Sequence, residues 1–222
     1  MPRDQIVEIP LRWHRKKDGT TFPVEITARF IQWKGQQVHL AAIRDVTRRI
    51  QAEKELELLA ATDPLTGLFN RRYFDEHAEK HVTKQGSGGE TGLLLMDIDY
   101  FKTINDEHGH EVGDFVLKEL ARLLSVHVRS GDILARYGGE EFALLLPRTS
   151  EREMEQIAER LRREVAQNVF DHMGKELRVT MSVGGVHCSN AGPVLAPLLR
   201  LADAAMYEAK QSGRDRCVFK RQ

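Results

Sequence analysis

Two acidic clusters hold the residues best suited to chemistry. The first is Met96-Asp97-Ile98-Asp99, which closes the wholly apolar run Leu93-Leu94-Leu95-Met96. Such a run reads as a buried central strand, and carboxylates at its C-terminal end lie beside the loops where ligands of α/β proteins bind. A period of two puts Asp97 and Asp99 on one face. Hard oxygen donors of this kind suit Mg²⁺ or Mn²⁺. The same pair can cap a helix starting near Tyr100, and pattern alone favours neither role. The second cluster is Gly138-Gly139-Glu140-Glu141-Phe142. Two glycines in a tight turn admit close approach of a ligand and permit positive φ. Two glutamates follow at once, on opposite faces of the second strand. A Gly-Gly turn alone is usually only a turn. Beside the first cluster it gains meaning, because the two strands can bring Asp97 and a glutamate around one divalent cation.

The elements that must position these clusters can be read from periodicity. Residues 9–46 alternate as β structure: Phe22, Val24, Ile26 and Ala28 share one face, and Glu25, Thr27 and Arg29 the other. Turn signals at Lys17-Asp18-Gly19-Thr20 and Trp33-Lys34-Gly35-Gln36 divide the segment into three antiparallel strands. Three strands without a helix make a poor independent core. Residues 46–62 read as a connecting helix with a broken apolar stripe of Val46, Ile50, Leu56, Leu59 and Ala60. It suits pairing with a copy of itself and docking on its own domain equally well. Asp63-Pro64 ends it. Beyond lie a helix over 70–84, a flexible Gly86-Ser87-Gly88-Gly89 loop and the apolar strand. A helix over 111–128 follows, then a hairpin of 133–137 and 141–146, and a helix over 151–166. A strand over 179–186, a helix over 194–211 and a strand over 217–219 complete the order. Hairpins mixed with helix crossovers give an α+β fold, its sheet covered mainly on one face.

Four ordered motifs carry a resemblance. Gly138-Gly139-Glu140-Glu141-Phe142 resembles the signature of the GGDEF family, the diguanylate cyclases, in its GGEEF form. Asp63-Pro64-Leu65-Thr66-Gly67-Leu68-Phe69-Asn70-Arg71-Arg72 resembles the family's opening motif. Asp97-Ile98-Asp99, Phe101-Lys102, Asn105-Asp106, Gly109-His110 and Gly113-Asp114 resemble its central block. Lys210-Gln211-Ser212-Gly213-Arg214-Asp215 resembles its closing motif. The match covers about residues 63–222 and is far more specific than a lone glycine pattern. It implies a palm-like nucleotidyl-cyclase fold with a mostly antiparallel central sheet. It also implies a reaction: two GTP molecules condense into cyclic di-GMP with release of two pyrophosphates, between the facing sites of a homodimer.

What the resemblance implies for single residues is specific. Two Mg²⁺ or Mn²⁺ ions per site fall to Asp97, the Ile98 carbonyl and Glu140, with Glu141 adjacent. Either glutamate can take the 3′-hydroxyl proton, with Glu140 preferred. Guanine recognition falls to Asn105 and Asp114, whose groups can pair with guanine N1–H and N2–H₂ as adenine cannot. Gly138 and Gly139 adjoin the substrate, and Lys102, Lys210 and Arg214 contact the triphosphate. Lys210 and Arg214, spaced i and i+4 near a helix end, are expected to face one side. Arg129-Ser130-Gly131-Asp132 resembles the family's R-x-x-D inhibitory site for the product, with Arg160 as a candidate second arginine. A non-catalytic GTP or cyclic di-GMP binding module is the alternative, but no motif position is visibly degenerate. The GGEEF turn disfavours another nucleotidyl cyclase.

The N-terminal segment is similar to the end of a PAS sensor domain, through Arg15-Lys16-Lys17-Asp18-Gly19-Thr20, Phe22-Pro23-Val24-Glu25 and Ile43-Arg44-Asp45-Val46-Thr47. The expected organisation is thus a PAS-like C-terminal piece over 1–46, a signalling helix over 47–62 and a cyclase domain over 63–222.

The 222 residues balance 33 Lys+Arg against 33 Asp+Glu. Zero net charge argues against a nucleic-acid or membrane-surface binder. The balance is uneven, because residues 1–50 hold 10 basic and 5 acidic side chains while the rest hold 23 and 28. A net negative catalytic part can still bind a triphosphate through divalent ions. The two cysteines, Cys188 and Cys217, form no metal or disulfide pattern, which points to a reducing, cytoplasmic setting. No stretch approaches a membrane span, although a longer parent chain could be anchored upstream.

Overall fold

The computed structural model describes residues 7–84, 89–189 and 195–221. Residues 86–88 of the expected glycine-serine loop lie outside them. The chain divides into two compact units, Met1–Ala60 and Ala61–Gln222.

In the first unit, β1 (Val7–Arg15), β2 (Thr21–Trp33) and β3 (Gln36–Asp45) form an antiparallel meander in that order. Lys34 and Gly35 take φ of 51° and 77° in a two-residue loop, the mirror-image turn that matches strand twist. Val24 and Ala28 are buried as the alternation requires, yet Trp13, Phe30, Trp33 and Ile43 stay exposed. The meander therefore has little core of its own. Helix α1 (Thr47–Ala61) follows, with the Asp45 carboxylate accepting the Thr47 N–H at 2.9 Å. Of its expected stripe, Val46 is buried and Leu59 exposed; the Leu56 side chain lies outside the description.

The second unit runs β4 (Phe69–Asn70), α2 (Arg71–Lys84), β5 (Thr91–Ile98), α3 (Phe101–His108), α4 (His110–Val126), β6 (Ile133–Arg136), β7 (Glu141–Pro147) and α5 (Glu151–Gln167). A small hairpin, β8 (Phe170–His172) and β9 (Lys175–Leu177), precedes β10 (Met181–Cys188), α6 (Leu195–Gln211) and β11 (Cys217–Arg221). Six strands form one sheet in the order β11-β10-β5-β7-β6-β4. The four middle strands are mutually antiparallel, while β11 and β4 pair in parallel at the edges. The mixed α+β architecture and its mostly antiparallel sheet are as expected.

The coverage of the sheet is not. Leu94, Met96 and Ile98 of β5 join a core with Val116 and Leu120 of α4 and Ala158 and Leu161 of α5. Leu93 and Leu95 face the other way, onto Phe74 of α2 and Leu198 and Ala202 of α6. Helices thus cover both faces, which is why all eight residues of β5 are buried and why its sequence does not alternate.

The packing of α6 depends on Gly184 of β10. A Cβ there would lie 2.1 Å from the Ala202 carbonyl oxygen and 2.3 Å from the Met206 nitrogen. Both obstacles are backbone, so only a shift of the helix could make room. Gly184→Ala is expected to cost on the order of 2 kcal/mol, read as a lower midpoint of urea unfolding. An unchanged midpoint would refute this packing.

Candidate active site

Strand pairing brings the two acidic clusters together. Asp97 of β5 stands opposite Glu141 of β7, and the Ile98 N–H donates to the Glu140 carbonyl at 3.3 Å. The bend between β6 and β7 is a four-residue loop, Tyr137 to Glu140, closed by the Tyr137 and Gly138 N–H groups donating to the Glu141 carbonyl at 2.7 and 3.2 Å. Glu140 therefore lies in the loop and only Glu141 in the strand, not both on the strand as expected.

Nor do Gly138 and Gly139 take positive φ. A four-residue loop can bend through right-handed conformations, which need no glycine. Their use is space. A Cβ on Gly138 would lie 2.3 Å from Glu141 Oε2, while Gly139 has nothing within 4 Å of that position. The first glycine lets the Glu141 carboxylate fold over the turn. The second leaves the backbone open to a ligand.

Asp97 is 4% exposed and pairs with Lys210 of α6, Nζ to Oδ2, at 2.8 Å. Burial pushes its carboxyl up to about 6 against the opposing pull of Lys210, and the negative charges of Glu140 and Glu141 push the same way. A carboxyl so placed favours any cation that joins Lys210 in neutralising it. Among the described residues no three His, Cys, Asp or Glu side chains converge into a metal cage. Mg²⁺ does not require one, since it is commonly held by one or two carboxylates plus substrate phosphates. The hard oxygen donors at Asp97, Ile98 and Glu140 fit that pattern.

Asp99 has a different task. It accepts from Thr180 Oγ1 at 2.7 Å, Ser182 Oγ at 2.6 Å and the Asp215 N–H at 3.0 Å, which ties β5, β10 and the exit of α6 together. The capping role is not taken by either aspartate. Tyr100 occupies the N-cap of α3 at φ 57°, with no side-chain cap bond.

Lys102 is exposed near the start of α3. Asn105 on α3 is half-buried and Asp114 on α4 is exposed. A Cβ on Gly113, the residue before Asp114, would lie 2.0 Å from Asn105 Oδ1, so the Asn105 amide rests against α4. Lys210 and Arg214 do not share a helix face as their spacing implied. α6 ends at Gln211, and Arg214 lies beyond it at φ 61°, its N–H donating to the Ala209 carbonyl at 3.0 Å. Both still serve the same segment, because Lys210 meets Asp97 and the Arg214 guanidinium lies 4.3 Å over the Tyr100 ring. Tyr100 is a residue of this segment that residue-type reasoning passed over, and only its left-handed backbone marks it; Gly113, already part of the central motif, gains a spatial role from its closeness to Asn105.

The Arg129 Nε donates to Asp132 Oδ1 at 3.2 Å, and its Nη2 to the Pro147 carbonyl at 3.0 Å and Thr149 Oγ1 at 2.5 Å. Arg160 on α5 is exposed and reaches the His127 carbonyl at 3.5 Å, so it approaches the loop leaving α4 in which Arg129 itself lies.

A family model described as "Diguanylate cyclase, GGDEF domain" matches residues 60–216. The response regulator PleD of Caulobacter vibrioides is 44% identical over 165 residues, covering 73% of this chain and 36% of PleD. The diguanylate cyclase DgcM of Escherichia coli is 38% identical over 211 residues, covering 92% of this chain and 49% of DgcM. The chain thus spans half or less of the length of these relatives. The crystal structure of the coiled coil and GGDEF domain of DgcB from Caulobacter crescentus, in complex with c-di-GMP, superposes with a TM-score of 0.73 at 29% identity, covering 79% of this chain and 93% of that one.

Proposed function

We propose that this chain, which belongs to the GGDEF family of diguanylate cyclases, condenses two GTP into cyclic di-GMP. In each half of the reaction a 3′-oxygen bonds to the α-phosphorus of the other nucleotide, the α–β bridge breaks and pyrophosphate leaves. One domain presents one GTP, so the working unit is a homodimer with facing sites. The carrying observation is the pairing of β5 with β7, which sets Asp97 opposite Glu141 and next to Glu140.

Mg²⁺ or Mn²⁺, held by Asp97, the Ile98 carbonyl and Glu140, would neutralise triphosphate charge and acidify the attacking hydroxyl. Glu140 takes the hydroxyl proton, its side chain standing at the open turn. Lys102, Lys210 and Arg214 bind phosphate oxygens. Lys210 exchanges its contact with Asp97 for one with the nucleotide. Asn105 and Asp114 read guanine.

Incubation of the dimeric protein with GTP and Mg²⁺, after stripping carried-over product, should yield cyclic di-GMP and two pyrophosphates per molecule. GTP consumed without cyclic di-GMP, or no turnover at all, would refute the reading. ATP should not substitute.

Product inhibition belongs to the same proposal. Arg129 and Arg160 present a fork-shaped donor and a second cation, suited to the guanine edge and phosphate of cyclic di-GMP, while Asp132, its side chain only 3% exposed, holds the Arg129 guanidinium in place. Arg129→Ala should raise the inhibition constant of added cyclic di-GMP by at least ~10-fold, the loss expected for charged hydrogen bonds, with uninhibited turnover unchanged. Unaltered inhibition would remove Arg129 from that site.

A further inference from the structure

Gly138 and Gly139 have no side chains to pack, and glycine loses more backbone freedom on ordering than any other residue. Something outside the turn must therefore fix the carboxylate that follows them. Two neighbouring residues bind outward. The Arg136 Nε and Nη2 donate to the Gly139 carbonyl at 3.1 and 2.7 Å, and its Nη1 donates to both oxygens of Asp63 at 3.2 Å. The Arg136 and Asp63 side chains are each only 17% exposed. Asp63 is itself held, accepting from the Thr66 N–H at 2.9 Å and Oγ1 at 2.7 Å. The Tyr137 hydroxyl donates to Asp75 Oδ1 at 3.0 Å, while its ring meets Phe74 edge-on at 5.7 Å.

We propose that the opening of the second unit, from Asp63 to Asp75, clamps the catalytic turn at two points, making Asp63, Arg136, Tyr137 and Asp75 positioning residues for Glu140. A peptide plane has one orientation once its carbonyl is pinned. Arg136 pins the Gly139 carbonyl, which fixes the plane that enters Glu140. The Ile98 N–H holds the carbonyl that leaves Glu140, at 3.3 Å. Glu140 is thus fixed on both sides, and the entering side depends on a guanidinium anchored 73 residues earlier in the chain, at Asp63. The fork is essential: an ammonium cannot serve a carbonyl and a carboxylate with the same planar geometry. Tyr137 fixes the base of the turn independently.

The catalytic consequence rests on the diguanylate cyclase reading, whereas the clamp itself does not, so the test has two arms. Asp63→Asn keeps an oxygen for Thr66 and removes the charge that holds Arg136. Tyr137→Phe keeps the ring and removes the bond to Asp75. Arg136→Lys keeps the charge and loses the fork. In the ligand-free full chain, amide hydrogen exchange over 137–141 should quicken at least ~10-fold in each variant, with the other β5 and β7 amides unchanged. In turnover, kcat should fall ~10-fold for each single change and ~100-fold for Asp63→Asn with Tyr137→Phe, with KM for GTP within ~2-fold, because misplacing a catalytic group acts on the transition state. Arg136→Lys should not rescue. Unchanged exchange over the turn overturns the clamp, as does loosening throughout the sheet. A loosened turn with kcat retained overturns the positioning role. A wild-type chain that makes no cyclic di-GMP overturns the function instead, and the exchange arm still decides the clamp.

Discussion

Glu140→Ala is expected to lower cyclic di-GMP formation by more than ~10³-fold, the scale on which preorganised charge and proton transfer act together. The fold should survive. Glu140 lies in the four-residue loop, and what holds it there is its own backbone: its carbonyl accepts from Ile98, and the carbonyl before it accepts from Arg136. Alanine keeps both bonds. The deleted carboxylate also repels the buried Asp97, so its removal relieves a cost and the melting temperature should hold or rise slightly. The Asp97 carboxyl should then titrate lower than about 6. Circular dichroism, a carboxyl titration followed by NMR and product chromatography read all three effects. Glu140→Gln alongside Glu141→Gln separates the two glutamates. If Glu140 takes the proton, its glutamine variant is the slower by a wide margin. If Glu141→Gln is the slower, the assignment reverses. Turnover above a few per cent of wild type in Glu140→Ala would dismiss the catalytic role.

How much of this arrangement could be read from residues alone depended on how local the signal was. The run Leu93-Leu94-Leu95-Met96 marked a buried strand because an uninterrupted apolar stretch that short has nowhere else to go. Four consecutive apolar residues also need cover on both faces, and the structure supplies α4 and α5 on one and α2 and α6 on the other. The spacing of Lys210 and Arg214 suggested one helical face, but Gly213 stands between them at φ 112° and ends the helix, a role glycine commonly takes there. The β8–β9 hairpin was illegible for a physical reason. Its strands have three residues each, too few to show alternation, and its two-residue turn sets Met173, a residue with no turn preference, at φ 55° beside Gly174 at φ 83°. The strand expected over 179–186 was displaced to Met181–Cys188, because Val179 and Thr180 lie before the ladder yet share its apolar and β-branched character. At the site, residue type pointed to Asp97, Glu140 and Glu141. Residues that act by distant contact, such as Arg136, could be found only in three dimensions, and the spatial role of the motif residue Gly113 emerges only there.

The proposed guanine pocket gives the other large effect. Asp114→Asn should reduce kcat/KM for GTP by ~10³-fold, because a site built to accept two donors is left facing them with an amide that offers one acceptor and one clashing donor. Most of the loss should appear in KM. Gly113→Ala tests the same pocket through geometry. Alanine favours a helix interior over glycine by about 1 kcal/mol, so this change in α4 should raise or preserve the melting temperature. Its Cβ, however, would lie 2.0 Å from Asn105 Oδ1 and 3.2 Å from the Phe101 ring. The half-buried amide is the part able to yield, and it must turn away from position 113. A more stable protein that binds GTP at least ~10-fold more weakly is therefore expected, consistent with losing one or two hydrogen bonds to the base. Asn105→Ala should bind no worse than Gly113→Ala, and the double variant should add little, since both remove one interaction. Additive losses would mean that Gly113 serves something other than the Asn105 amide. Full GTP affinity in Gly113→Ala would show that Asn105 does not read the base from its position against α4.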